Sequence, residues 1–569
     1  MKRLPILTVV ALFATVFFVS CKNSGGGSDL PIPKDAAMVF YLNTSSLTSK
    51  LSWDEIKQSS WFQESYKKES DSFSKKIMDN PEASGVDMKS DFAFFLRQRG
   101  NGGYMVVEGK IKDAGDFEAF ALKSNEGSKV EKDGDLNYIV DDDNLISWNN
   151  SSFVLMSNMP MSGAANNPFS GGMEGEEDMN DMGETNETKA GVTPDSLKKF
   201  TKELLGMKGD DLLNNDDRFE DLLEEDGDMH FWMNPDSYIN AMGAGMMSMF
   251  KFGDLLKGNI STFSLNFADG KIDISSKQFY GKELAKLMES YKPKNVDKDL
   301  INRIPSQNVI GAIAFNFDPA WLKGFLKALG IDGLANGYLG KMDLSLDEVI
   351  GATGGQFLFS FSDLSLVKKE VTTPPFFEGG EPYTSVKTEP EFNVLVVSSV
   401  GNKSSFDKLM NIAKQNMMGM DTAISYKLTN EWFAAGNKAE SVDKFLAGGN
   451  NNVPFADKIS GHPFGMYIDL QKIFKATNSV DSTSFNLANQ TWQDIVATGG
   501  EYKDGMMKAD FVINMVDKKT NSLKQLNQFV QKMHEAEKAK RGSMQDEVNN
   551  NPYATDTTAA PIEIAPVQQ

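Results

Sequence analysis

The chain carries the same order of elements twice, and that duplication constrains its fold more than any other feature. Pro31-Ile32-Pro33 leads into the apolar run Met38 to Leu42, and Ile304-Pro305 leads into Val309 to Phe317. Each run meets a helix-start signal, Asn43-Thr44-Ser45 in the first copy and Asp318-Pro319 in the second. A short polar cap accepts the amide donors a helix N-terminus leaves free, and a proline there lacks one to leave. Phe92 to Phe95 is matched by Phe357 to Phe359, with Phe94 to Phe359 an offset of 265. Val106 to Val396 is 290, Phe117 to Phe406 is 289, and Tyr138 to Tyr426 is 288. Further on, Phe231 to Asn234 matches Met466 to Asp469, and the turn Asp269-Gly270 matches Asp504-Gly505, both at 235. Asp-Gly between apolar runs is a strong hairpin signal.

The offset rises where the second copy carries Thr372-Thr373-Pro374-Pro375 to Pro390, and falls where the first carries Met159 to Thr193. Neither stretch has apolar periodicity, so both are expected to be exposed and mobile, an inserted loop at 368–390 and a disordered insertion at 159–193. Helices are expected at Asp116 to Leu122, Phe406 to Ala413, Lys282 to Tyr291 and Ser522 to Met533, the last extended through Glu535 to Arg541. Alternating hairpins and short helices predict an α+β fold: two tandem repeats of a mixed, largely antiparallel sheet, at 31–300 and 301–541. The stretch 542–569 is polar and proline-containing and reads as a disordered tail.

The N-terminus adds a second constraint. Lys2 and Arg3 precede a nearly unbroken apolar run, Leu4 to Val19, then Ser20 and Cys21. The run has the length of a signal-peptide core and is short for a membrane span. Residues 1–20 therefore read as a lipoprotein signal, Cys21 as the lipidated residue carrying a palmitate-type anchor, and 21–30 as a flexible tether. Cys21 is the only cysteine in 569 residues. No intramolecular disulfide is possible, and thiol chemistry is excluded once Cys21 carries lipid. The net charge of −21 disfavours nucleic acid and anionic surfaces as partners, because both repel it. The membrane link is expected to be the lipid itself.

The search for chemistry yields little. The three histidines, His230, His462 and His534, have no second ligand-type residue at metal spacing. His230 aligns near His462, each before an equivalent strand. Asp141-Asp142-Asp143-Asn144 and Asp226-Gly227-Asp228 read as solvated turns, because the alternating ligands of a calcium loop are missing. The glycines of Gly351 to Gly355 and Gly499-Gly500 read as turn residues. No nucleophile elbow, zinc-protease pair or phosphate loop is present. No catalytic residue, metal or cofactor is therefore assigned, and a non-enzymatic role is favoured. Met246, Met247 and Met249, like Met417, Met418 and Met420, offer flexible apolar packing or an adaptable groove for a partner.

The signal ending in Ser20-Cys21, the run Pro31 to Ala37 before a strand, and the duplicated layout together resemble an uncharacterised lipoprotein family of the Bacteroidetes, a domain of unknown function numbered 4836. The resemblance covers most of the mature chain and carries over no catalytic residue. It implies a lipid-anchored cell-envelope protein of the outer membrane. We favour the periplasmic face, since no acidic export tract follows Cys21; the cell surface is the alternative. Asp556-Thr557-Thr558 looks like the O-glycosylation sequon of these bacteria, with Thr557 as acceptor. Asp481-Ser482-Thr483 and Asp421-Thr422-Ala423 also fit the pattern. The expected role is a scaffold or binding protein for a protein, glycan or lipid partner. The alternatives are a periplasmic carrier or chaperone of lipids or lipoproteins, and a hydrolase whose carboxylates come from distant loops.

Overall fold

The computed structural model describes residues 30–99, 102–141, 143–160, 193–236, 251–373, 383–416, 424–477 and 482–549. The apolar runs form strands wherever alternate residues can bury on a covered face. In β1 (Met38–Leu42) Val39 and Tyr41 are buried on one face while Phe40 stands on the other. Among the described residues eighteen strands join in one sheet, and every pairing is antiparallel.

One end of the sheet holds β4 (Glu131–Asp133), β5 (Leu136–Asp141), β6 (Asn144–Trp148) and β7 (Ser152–Pro160). From β7 it continues through β3 (Gly102–Lys110), β2 (Phe92–Arg99) and β1, then β8 (Met229–Met233), β9 (Ile260–Ala268) and β10 (Lys271–Phe279). There β10 pairs with β18 (Met506–Met515) along its whole length. Beyond the seam lie β17 (Trp492–Lys503), β16 (Phe464–Asp469), β11 (Val309–Asn316), β12 (Thr353–Thr373), β13 (Tyr383–Val400), β15 (Trp432–Gly436) and β14 (Ser425–Leu428). The fold is α+β, with helices on the sheet.

Separate cores hold the two sides. On the β1 side, Val39, Tyr41, Phe95, Tyr104 and Val106 pack under Leu197, Leu204, Phe219 and Leu222 of the helices Pro194–Gly206 and Asp217–Glu224. On the β11 side, Ala312, Ala314, Leu358, Leu395 and Val397 pack against Leu300, Ile301, Val442 and Phe445. The expected helix starts are made: Asn43 accepts from the Ser46 amide, and Asp318 from the Ala320 amide at the head of the helix Ala320–Leu329. Asp504 and Gly505 both take positive φ in the tight turn between β17 and β18.

Several sequence expectations are corrected. The stretch 368–390 is no loop over its described residues. It is the outer part of the β12–β13 hairpin, with Leu366 opposite Pro390 and Thr373 opposite Tyr383. Its Thr and Val residues favour extended backbone even where both faces meet water. The last helix does not stop at Arg541 but runs Ser522–Asn549, so the expected tail loses its first eight residues. The glycines near 355 and 500 are not turn residues. Gly354-Gly355 and Gly499-Gly500 lie at bulges inside β12 and β17. Gly355 has φ 93°, and a Cβ there would strike the Phe317 carbonyl, so the bulge requires glycine.

Two finer alignments also shift. Val107, not Val106, faces Phe94 as Val396 faces Phe359, an offset of 289 that equals the offset of the following helices. Tyr426 lies in the strand next to β15, whereas Tyr138 lies one strand further from β7, so the two tyrosines occupy different positions.

Candidate functional site

The terminal helix Ser522–Asn549 repeats apolar residues at helical spacing: Leu523, Leu526, Phe529 with Val530, and Met533. Its N-terminal end packs on the other side of the seam. Leu523 joins Leu47, Trp53, Ile56 and Phe62 in one buried cluster. Lys524 Nζ bonds Glu55 at 2.6 Å, and the Trp61 indole N–H donates to Asn527 Oδ1 at 3.3 Å. Glu64 on the helix Ser60–Lys68 accepts from Lys68 at 2.6 Å, His534 at 3.1 Å and Lys538 at 3.2 Å. These hydrogen bonds, Lys68 foremost, hold the Glu64 carboxyl well below the usual carboxylate range, at about 2.

Between these helices and the helix Ser482–Thr491 lies a cleft of about 960 Å³. Trp61, Phe529, Val530 and Met533 supply its apolar lining, with Ala536 and Ala539 further along. Phe529 is fixed edge-on against Trp492 of β17, ring centroids 6.0 Å apart. The polar lining comes from Thr483 and Ser484 on one wall and His534, Glu537 and Lys540 on the other. The cleft therefore draws Trp61 from one side of the seam and the remaining lining residues from the other. Its volume lies in the range of small-molecule sites, which are mostly apolar with a few orienting polar groups.

A second polar feature lies inside the β1-side core. Glu108 on β3 is fully buried, and neither carboxyl oxygen has a hydrogen-bond partner among the described residues. Burial pushes its carboxyl up to about 8, against a weaker downward pull from Lys110. It stands opposite Ala93 and Val154, and the same row continues to Tyr41 and His230. Tyr41 donates to Asp91 Oδ2 at 2.9 Å, and burial also raises the Asp91 carboxyl. His230 is buried, which lowers its pKa, and its Nδ1 has no hydrogen-bond partner among the described residues.

The sequence-based candidates scatter. Cys21, Met246, Met247, Met249 and Thr557 lie outside the described residues, as do Met417, Met418, Met420, Asp481 and Thr422. The expected solvated turn at Asp226-Gly227-Asp228 is corrected. Asp228 is fully buried, accepting from Lys50 at 2.7 Å, Ser46 at 2.6 Å and the Phe267 amide at 2.6 Å. The suggested match of His230 with His462 also fails. His230 faces Tyr41 within β8, while His462 precedes β16 and pairs with Glu501 near the surface. Among the described residues no group of three or more His, Asp or Glu side chains is placed to hold a metal ion. No helix among them is long and apolar enough to cross a membrane.

Residues 30–166, spanning β1 to β7, match the model of a family described as a domain of unknown function (DUF4836). No curated protein matches the chain. Solved structures with some likeness include two crystal forms of TP0453. Form I is 11% identical and covers 44% of this chain and 79% of that one, at a TM-score of 0.22. Form IV is 10% identical and covers 47% and 87%, also at 0.22.

Proposed function

We propose that this chain is a lipid-anchored envelope protein that binds an acyl-bearing ligand without chemical turnover, in the cleft beside the terminal helix. The observation that carries the reading is the cleft itself, with an apolar lining of Trp61, Phe529, Val530 and Met533 beside the His534 imidazole and the charged groups of Glu537 and Lys540. An acyl chain would lie on the first set and its headgroup would meet the second. Anchoring through Cys21, in the outer membrane and facing the periplasm, completes the proposal; its support is the signal-like N-terminus.

The body is best read as two copies of one unit. From the seam outward the order β10, β9, β8, β1, β2, β3 mirrors β18, β17, β16, β11, β12, β13. Phe40 faces both Phe94 and Phe231, as Ile313 faces both Phe359 and Met466. The two offsets found in the sequence, 265 and 235, thus both set Phe40 against Ile313. Since the cleft draws on both copies, it offers one ligand site per chain.

Displacement of a fluorescent fatty acid tests the site. Binding to the full chain is expected to fall at least tenfold in Val530→Asp, whose side chain is half exposed. Unchanged binding in Val530→Asp and in Met533→Glu would remove the proposal.

A further inference from the structure

Two consecutive helices on the β11 side, Ala320–Leu329 and Asp332–Gly340, depart from the rest of the chain in charge and in exposure. From Pro319 to Met342 the chain holds three lysines, Lys323, Lys327 and Lys341, and one acid, Asp332, although the whole chain has a net charge of −21. Leu334 is 69% exposed and Tyr338 65%, on one face of their helix at a spacing of four, and Leu322 on the preceding helix is 38% exposed. Trp321 and Phe325 stack at 4.9 Å and are half-buried. The second helix is held in place: the Leu346 amide donates to Asn336 Oδ1 at 3.0 Å, and Gly330, with φ 76°, closes the first helix. Lys323 pairs with Asp347 at 2.6 Å, whereas the exposed Lys327 and Lys341 have no ion-pair partner among the described residues.

Fixed, exposed apolar side chains, joined to unpaired lysines and nearly free of acids, are what an interfacial helix presents to lipid. We propose that this helical hairpin docks on a bilayer surface. Leu334, Tyr338 and Leu322 enter the headgroup boundary, and Lys327 and Lys341 meet lipid phosphates. The acidic remainder of the chain is repelled by the same phosphates, which orients the body with this hairpin down. The patch is separate from the cleft, and its occupancy does not depend on the ligand proposed above.

The test uses the full chain with Cys21→Ser, which frees a single introduced cysteine for labelling. An environment-sensitive fluorophore is placed at Tyr338→Cys or, as control, at the exposed Glu440→Cys, and vesicles of phosphatidylcholine mixed with phosphatidylglycerol are added. The apolar run Leu4 to Val19 is the same in every sample, so differences between samples belong to the patch. A blue shift at 338 and none at 440 is expected. Leu334→Asp should abolish it, and Lys327→Glu with Lys341→Glu should weaken vesicle binding roughly tenfold or more. Equal responses at the two positions, or vesicle binding indifferent to Leu334→Asp, would overturn the proposal. So would a blue shift at 338 that grows with protein concentration in the absence of vesicles, since a second copy would then cover the patch.

Discussion

Across the sheet at the level of Glu108, the row from β6 through β7, β3, β2, β1 and β8 to β9 reads Ser147, Val154, Glu108, Ala93, Tyr41, His230, Ser264. The corresponding row beyond the seam, from β14 to β17, reads Lys427, Ala434, Val397, Leu358, Ala314, Gly465, Thr498. The same strand pairings hold both rows, so the fold does not require the polar one. Val397 fills its place with dispersion contacts, whereas Glu108 enters the core as a carboxyl without a hydrogen-bond partner among the described residues. Burying such a group is unfavourable, and the favourable response is to stay protonated. The polar row is therefore a property of the β1 side; its members Ser147, Glu108 and Tyr41 fall in the stretch 30–166 that matches the family model, and His230 and Ser264 lie beyond it.

The largest expected effect lies in the aromatic pairs that join sheet to helix on the two sides. Phe219 meets Trp232 edge-on at 5.7 Å, and Phe445 meets Trp432 at 5.9 Å. Trp232 is fully buried and Trp432 only partly. Trp232→Ala is expected to cost about 3–5 kcal/mol in urea unfolding followed by circular dichroism, and Trp432→Ala clearly less. Equal losses would mean that the two cores depend on these rings alike.

Next comes the pH dependence of the Glu108 row. Its folded pKa of about 8 lies above the ordinary 4.5, so between those values the native chain holds a proton that the unfolded chain has released. Stability must then fall as pH rises from 4.5 towards 8. At neutral pH the loss is on the order of 3 kcal/mol, and Glu108→Gln should recover most of it while changing little near pH 4. The reciprocal variant Val397→Glu should import the same pH dependence to the other side. Thermal midpoints of the three chains across this range check both, and a flat difference between the native chain and Glu108→Gln would show that Glu108 stays ionised.

The outer β12–β13 hairpin should matter least. Lys368, Lys369 and Glu370 are exposed and Val386 is 61% exposed, so few core contacts depend on that segment. Joining Leu366 to Pro390 by a short turn should shift the unfolding free energy by less than about 1 kcal/mol. A larger loss would show that the hairpin supports the β11 side.

Much of this was legible in the chain and some could not be. The strands at Met38–Leu42 and Val309–Asn316 and the Asp-Gly turns at 269–270 and 504–505 follow from apolar runs and turn chemistry, which are local. The burial of Glu108 was hidden because Val107-Glu108-Gly109-Lys110 reads as ordinary alternation with one wet face. Here both faces of β3 are covered, so alternation marks no solvent side. Asp228 reads as solvated for a different reason: its partners Lys50 and Phe267 are remote in sequence. The cleft brings Trp61 beside Phe529, and no periodicity within either segment announces that meeting. The excess of lysine over acid from Pro319 to Met342 was visible as composition, but the exposure of Leu334 and Tyr338 needed the fold.

A single acyl-binding cleft shared across the seam predicts a fixed ligand stoichiometry. Titration of the delipidated full chain with a medium-chain fatty acid, read by native mass spectrometry, should give one ligand per chain, lost in Val530→Asp. Two equivalent ligands per chain, or one that survives Val530→Asp and Met533→Glu together, would contradict it.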